Sequence, residues 1–317
     1  MNNFGECFSN NIKSRHASII DSIPSELKKL GKFKMLTDYE TTVLRIIGEN
    51  DYALKIVRGD GFDDDKWQET KREAEILRRL AHCSHVVRLI DSKLDPQTNV
   101  LYLLEEYYEP LNSFVSMTVF DAITVCIQVC EALIQCRDAG IAHLDVKPDN
   151  ILIDAHHQVR LGDFGVSLSL EEMAANKTRR GTLRYMAPEV FREGKCSEQS
   201  DIYAVGLLLY LFFNEGTYQW IDRYARIAYF QRLAGMPFES IRVHDEIDSA
   251  VMEIVSKACS FSPQDRPESF ESLRDDLLSL KKHLSESAGS LLLMFNFGIM
   301  GTTMPITMPS MPTDDRS

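Results

Sequence analysis

Between Phe33 and Tyr108 apolar and polar residues alternate in short runs, KFKML, TTVLRII, YALKIV, VVRLID and NVLYLLEEY, with turn-forming stretches such as GEND between them. A period of two predicts strands, here a meander of antiparallel ones. One stretch departs from it. After Asp63, Asp64 and Asp65, the positions Trp67, Thr70, Ala74, Leu77 and Leu80 step by three or four, which predicts a helix with acids at its favourable N-terminal end. From Thr118 the helical period takes over through Phe120, Ile123, Ile127, Cys130 and Ile134, with Thr118 and Asp121 as a capping pair and Gly140 at the exit. A hairpin follows, ILID and VRLGD around AHHQ, then a loop from Asp163 to Glu189. The run DIYAVGLLLYLFF is apolar all round and predicts a buried helix. Two amphipathic helices come last, marked by Ile247, Val251, Ile254 and Ala258, and by Phe270, Leu273, Leu277 and Leu284.

Composition bounds the picture further. With 317 residues, 44% of them hydrophobic, the chain can bury a full core in roughly two packed units, or in one domain with two lobes and short extensions, which excludes a disordered tail protein. Its 35 Lys and Arg against 47 Asp and Glu give a charge of −12, which argues against nucleic-acid partners. Seven cysteines (Cys7, Cys83, Cys126, Cys130, Cys136, Cys196, Cys259) lack CxxC spacing and predict reduced, mostly buried thiols. Cys126 and Cys130, one turn apart, read as core. The segment MNNFGECFSNNIKSR is polar where a signal peptide needs an apolar run, and Asn2 stands where N-myristoylation needs glycine, so a cytoplasmic enzyme is expected.

The candidate chemistry is concentrated in a few segments. HLDVKPDN places Asp145, Lys147 and Asn150 between a helix and a hairpin, and DFG places Asp163 just past that hairpin, so four polar side chains can converge on one cleft. Phosphoryl transfer from ATP needs such a set: a carboxylate for the attacking hydroxyl, a cation for the γ-phosphate and oxygen ligands for Mg²⁺. Upstream, YALKIV sets Lys55 on a strand, and Glu73 shares a helix face with Leu77, from which an ion pair could hold the lysine against phosphates.

In these motifs the sequence resembles the eukaryotic-type serine/threonine protein kinase family over about residues 30 to 285. The resemblance implies an α+β bilobal fold: an extension over 1–30, a kinase domain over 31–285 with a small antiparallel β-sheet lobe over 31–108 and a mainly helical lobe over 109–285, and a Met/Pro-rich tail over 286–317. It implies Asp145 as catalytic base, Lys147 as phosphate contact, Asn150 and Asp163 as metal ligands, and Lys55 and Glu73 as the nucleotide-binding pair. It places Val43 or Leu44 over the adenine and Glu106 to Tyr108 at the hinge. The cofactors it implies are ATP and Mg²⁺, with Mn²⁺ a substitute, and the partner is a protein carrying Ser or Thr. GTLRYMAPE would close the activation segment, with Thr182 and Lys147 marking Ser/Thr specificity. Glu189 would pair with Arg266 of SPQDRP, Asp201 would pin the catalytic loop, and Thr178 is a candidate phosphosite. Six such motifs in order are not a chance pattern. Single residues read differently: Glu73 shares its helix with Glu69 and Glu75, which leaves a surface face as the alternative, His143 reads as core, and His156 and His157 as solvated turn residues.

Three features depart from the family pattern. Where the family has GxGxxGxV, this chain has LTDYETTVLRI, with no glycine from Lys32 to Ile47. Close backbone approach to phosphates then has to be replaced, with hydroxyls of Thr37, Thr41 or Thr42 as candidates. Leu144 stands where many kinases place an arginine that receives an activation-segment phosphate, so activity is expected not to need that phosphate. Glu105 falls at the gatekeeper position behind the adenine, where a buried carboxylate needs a partner; either it pairs with Lys55 in place of Glu73, or the register slips and Leu104 faces inward.

The stretch from Ser290 to Thr313 is uncharged and holds five of the twelve methionines and three prolines. Its apolar run, Leu291 to Met300, falls short of the ~20 residues a spanning helix needs, which leaves a disordered arm or one docking to a partner or membrane. The leading functional reading is an active Ser/Thr protein kinase. The competing ones are a pseudokinase scaffold, favoured by the glycine-free loop, and a small-molecule kinase, disfavoured by GTLRYMAPE. Asp149 and the net charge favour basic peptide substrates.

Overall fold

The computed structural model describes residues 18–38, 41–59, 64–111, 116–175, 177–213, 235, 245–287 and 294–296. Cys7, Tyr39, Glu40, Asp63 and the tail apart from residues 286–287 and 294–296 lie outside them. The strands Lys32–Asp38 (β1), Thr42–Ile47 (β2), Tyr52–Arg58 (β3), Leu89–Asp95 (β4) and Val100–Glu106 (β5) form one antiparallel sheet in the order β1-β2-β3-β5-β4. The strand foreseen from Val86 starts only at Leu89. Val86 bridges Leu161 and Val87 N–H donates to its carbonyl at 3.0 Å, so these valines tie the sheet to the second lobe instead.

Register sorts the side chains of this sheet onto two faces, because successive residues of a strand point opposite ways. Leu44, Ile46, Leu54, Ile56, Val100, Tyr102 and Leu104 pack on one. Val57, Leu101 and Leu103 pack on the other against Trp67 and Ala74 of the helix Asp64–Arg79. Pairing of Val43 with Lys55, and of Ala53 with Glu105, puts Val43, Ala53, Lys55 and Glu105 on this second, helix-side face. Leu44 is therefore no candidate to cover a nucleotide, and Leu104 is not the inward residue of its strand.

The first face is covered by the chain's own N-terminal segment. Ile19 and Ile23 are buried in its cluster, with Leu27 of the short helix Ser25–Lys28 (α1) packed beside them. Tyr102 Oη donates to Ser22 O at 3.2 Å, and Lys93 pairs with Glu26. What reads in sequence as an extension is thus partly core.

The second lobe begins with Glu109–Pro110 (β6) and Ser116–Thr118 (β7). The long helix after the sheet helix (α2) is Val119–Asp138 (α3), opened by a capping box in which Asp121 N–H donates to Thr118 Oγ1 at 3.1 Å and Thr118 N–H to Asp121 Oδ2 at 2.9 Å. By length and composition α3 could cross a membrane, but most of it is buried in the core against Glu198–Phe213 and Phe270–Ser287. The order after α3 is Ile141–Ala142 (β8), a hairpin of Ile151–Ile153 (β9) and Val159–Leu161 (β10), Leu168–Ser169 (β11), Leu170–Ala175 (α4), Pro188–Glu193 (α5), Glu198–Phe213 (α6), Asp245–Ala258 (α7) and Phe270–Ser287 (α8). The apolar helix α6 is buried as its pattern predicts, with Val251 and Ala258 of α7 and Phe270, Leu273, Leu277 and Leu284 of α8 in the same core.

Two elements were not foreseen. The loop after Asp163 contains β11, paired with β8, and α4, whose start is capped reciprocally: Ser169 N–H donates to Glu172 Oε2 at 2.9 Å, and Glu172 N–H to Ser169 Oγ at 3.1 Å. In the tail, Met294–Asn296 (β12) pairs antiparallel with β7, so at least this part of the arm docks on its own chain.

Replacing Ile23 by Ala tests whether the N-terminal segment belongs to the folded unit. Removing a side chain only 3% exposed is expected to lower the unfolding free energy by about 2–4 kcal/mol, read by urea denaturation. A change below about 0.5 kcal/mol would show that the segment is an appendage.

Candidate active site

The catalytic-loop segment is held by two constraints set by sequence. Asp201, in the first turn of α6 and 2% exposed, accepts the backbone N–H of His143 at 3.2 Å and of Leu144 at 2.9 Å. Leu144 has φ +68°, a left-handed conformation that a branched side chain rarely adopts, and the two bonds from Asp201 hold it there. Burial pushes the Asp201 carboxyl up to about 7, with the two amides pulling the other way. Against the carbonyl of Leu144 lies Gly181 (φ +96°), where a Cβ would stand 2.2 Å from that oxygen, so only glycine lets the next segment come this close.

That approach brings Thr182 to Asp145. Thr182 N–H donates to Asp145 Oδ1 at 2.6 Å, Lys147 Nζ to Asp145 Oδ2 at 2.7 Å and to Thr182 Oγ1 at 2.9 Å, and Asn150 Nδ2 to Asp145 Oδ2 at 3.1 Å. Asp145 is therefore a buried carboxylate whose orientation is set by three donors. His143 is core, as its sequence context suggests. Its Nδ1 accepts from Asp145 N–H at 3.2 Å, which leaves the proton on Nε2, 3.1 Å from Gly162 O, and burial holds its pKa below the usual value. Its ring meets the edge of Phe164 at 4.8 Å between centroids.

The second half of the site hangs from the sheet. Lys55 Nζ lies 2.6 Å from Glu73 Oε1 on α2 and 3.3 Å from Glu105 Oε1 on β5. The first contact is a hydrogen bond; the second lacks hydrogen-bond geometry and is Coulombic. Glu73 and Glu105 thus share the lysine, and the alternative in which Glu105 replaces Glu73 does not hold. Glu75 is exposed, and Glu69 pairs with Lys66 at 3.3 Å. Glu73 also accepts Phe164 N–H at 3.3 Å, which links α2 to the DFG turn. Asp163 (φ +62°) stands beside this group; burial works against its charge, but Lys55, Lys147 and Lys66 hold its pKa below the usual range. Lys66 is a contributor that sequence reasoning missed, although its place two helical turns before Glu73 could have pointed to it. Burial also opposes the charge on Lys55, yet Glu105, Glu73 and Asp163 outweigh it and raise its pKa.

Other candidates fall around this centre. Thr37 Oγ1 donates to Thr41 O at 3.1 Å, so its hydroxyl closes the loop, while buried Thr41 Oγ1 has no hydrogen-bond partner among the described residues. Glu106 is exposed and Tyr108 buried, with the Glu106 and Tyr107 amides donating to Arg88 O and Asp51 O at 2.9 and 3.0 Å. Glu189 and Arg266 form a bidentate pair, 2.8 and 2.7 Å, that ties α5 to the turn before α8 away from the centre. Thr178 N–H donates to Gly194 O at 2.8 Å, and Leu144 packs with Ala142 and Leu168 rather than facing a charge.

Desolvation raises the Glu105 carboxyl from 4.5 to about 7 against the pull of Lys55. A folded pKa above the unfolded one means that its contribution to stability is complete below about 4.5 and is lost as pH rises through about 7. Between pH 5 and 8 the unfolding free energy of Glu105→Gln is expected to move in the variant's favour, relative to the parent, by roughly 1–3 kcal/mol. Urea titrations along a pH series measure this, and parallel curves for the two proteins would contradict it.

Comparison with known proteins agrees with the geometry. Residues 41–278 match the protein kinase domain family. The chain is similar to the serine/threonine-protein kinase PrkC of Bacillus subtilis, 27% identical over 241 residues that make up 73% of this chain and 37% of PrkC. It is similar to the probable serine/threonine-protein kinase PknB of Corynebacterium glutamicum, 35% identical over 170 residues (50% of this chain, 26% of that protein), and to PknB of Mycobacterium tuberculosis, 28% identical over 240 residues (72% and 38%). The chain thus spans well under half the length of these curated relatives. With the ordered motifs gathered at one cleft and most of the sequence matched, the chain belongs to the protein kinase family.

Proposed function

We propose that this domain transfers the γ-phosphate of ATP to Ser and Thr hydroxyls of protein substrates. The observation that carries the reading is the assembled pair of half-sites: Lys55 bonded to Glu73, and Asp145 fixed by Lys147, Asn150 and Thr182. A scaffold without turnover has no need of that geometry, and relatives named as serine/threonine-protein kinases support the enzyme.

In this reading Asp145 accepts the proton of the acceptor hydroxyl as it attacks phosphorus and ADP departs, and Lys147, which bridges Asp145 and Thr182, contacts the transferred group. Lys55 presents its ammonium to the nucleotide phosphates. Asn150 gives its amide nitrogen to Asp145, which leaves its amide oxygen for a cation; with the Asp163 carboxylate this is the kind of sparse oxygen set that Mg²⁺ shares with phosphates. Mg²⁺ or Mn²⁺ held there would neutralise charge on the transferring phosphoryl group. Val43 is the residue of the sheet face to cover the base, and Thr41 supplies a hydroxyl where glycine amides are missing. The cytoplasmic setting expected from the polar N-terminal segment completes the proposal.

Transfer of labelled γ-phosphate to generic protein substrates, measured beside Asp145→Asn and Asp163→Asn, is expected to give signal that falls at least ~100-fold in each variant. A folded protein silent at millimolar ATP would favour the scaffold, and label on a small metabolite alone the small-molecule kinase. Because Leu144 is packed in an apolar cluster and the segment around Thr178 is already bonded in place, Thr178→Ala is expected to keep its rate within about threefold. Complete loss restored by a phosphomimetic residue would show that a phosphate is required.

A further inference from the structure

The chain is acidic overall, yet the stretch from Lys177 to Lys195 is not. It holds six Lys and Arg (Lys177, Arg179, Arg180, Arg184, Arg192, Lys195) against Glu189 and Glu193, a local charge of +4 in a chain of −12. Glu189 is engaged by Arg266, which removes it from the surface balance. Lys177, Arg179, Arg192 and Lys195 are exposed. The bond from Thr178 N–H to Gly194 O sets the first pair beside the second, on either side of Glu193. Glu193 reports the field they make. Its carboxyl is held below the usual value first by its bond to Lys195 and further by Arg192 and Lys177. Arg179 lies over the Phe191 ring at 5.5 Å and Arg192 over the Phe261 ring at 5.4 Å, so two of the four cations are held in place by ring contacts.

The patch also lies close to the chemistry. Thr182 N–H is 2.6 Å from Asp145 Oδ1, and Arg179 is three residues away along the chain, so its Cα is within about 11 Å of that of Thr182. This upper bound is close to the screening length of roughly 10 Å in 0.1 M salt, so a charged side chain within about three or four residues of a hydroxyl at Asp145, at ~3.3 Å per residue, comes within range of these cations.

We infer that this cluster selects acidic protein substrates: a Ser or Thr with Asp or Glu several positions to one side. The inference rests on the phosphotransfer reading above and reverses the preference for basic peptides that the net charge suggested, because a bound peptide experiences the local field rather than the sum over the molecule.

The test is a positional scan of peptides around a fixed Ser or Thr, with Asp, Glu, Lys or Arg at each flanking position, followed by kcat/KM for the best acidic peptide and its basic counterpart. The ratio of the two within one preparation is independent of how much enzyme is folded. It is expected to favour the acidic peptide, to shrink as salt is raised, and to fall about tenfold, equivalent to about 1.4 kcal/mol, in Arg179→Glu/Arg192→Glu. A second variant, Lys177→Glu/Lys195→Glu, disturbs neither ring contact and is expected to move the ratio the same way. A ratio that favours basic peptides, or stays constant in both variants, overturns the inference while leaving the kinase reading intact. Absence of transfer to every peptide and protein removes the kinase reading, and the inference with it.

Discussion

One ammonium group, that of Lys55, stands among three acids drawn from three parts of the chain: Glu73 from the sheet helix, Glu105 from strand β5 and Asp163 from the turn after the second-lobe hairpin. Where little water reaches, such charges are stable only if they compensate one another. The position of α2 against the sheet, the inward face of β5 and the conformation of the DFG turn are therefore coupled through a single cation. Glu73 extends the coupling by accepting the Phe164 amide, and Phe164 in turn abuts His143. Desolvation drives the Glu105 carboxyl toward neutrality against the pull of Lys55, with the neighbouring Glu73 and Asp163 charges adding to it.

The second lobe uses a different device for the same end. Asp201 holds two successive amides and keeps Leu144 in a left-handed conformation, which turns Asp145 toward Thr182 and opens the space that Gly181 fills. Three donors then fix Asp145. Strain in Leu144 and burial of Asp201 are tolerated because each supports the other. Leu144 packs with Ala142 and Leu168, and backbone bonds hold the neighbouring segment.

Most of the site was legible in sequence because its chemistry is local. HLDVKPDN and DFG carry their own spacing, and the capping pair before α3 and the apolar α6 follow from pattern alone. The choice between Val43 and Leu44, and between Leu104 and Glu105, was not legible, because it depends on strand register, and a one-residue shift reverses every side chain. The N-terminal segment escaped because it contributes few core positions, Ile19 and Ile23 foremost, and the family match begins only at residue 41. The pairing of Met294–Asn296 with Ser116–Thr118 is a backbone contact with no side-chain signature. The capping box at Ser169 and Glu172 opens a helix of only six residues, too short for its apolar period to stand out from the surrounding loop. Net charge averages over the chain, so it says nothing of the six Lys and Arg gathered between Lys177 and Lys195.

On the proposed function, a loop without glycine between β1 and β2 still serves a metal-dependent ATP site, because Lys55, Glu73 and Asp163 are gathered below it. Binding of a fluorescent ATP analogue with and without Mg²⁺, in the parent and in Asp163→Asn, addresses it directly. Saturable binding that requires Mg²⁺ and is lost in the variant is the predicted result. No binding at millimolar nucleotide, or binding indifferent to both the metal and Asp163, would contradict it.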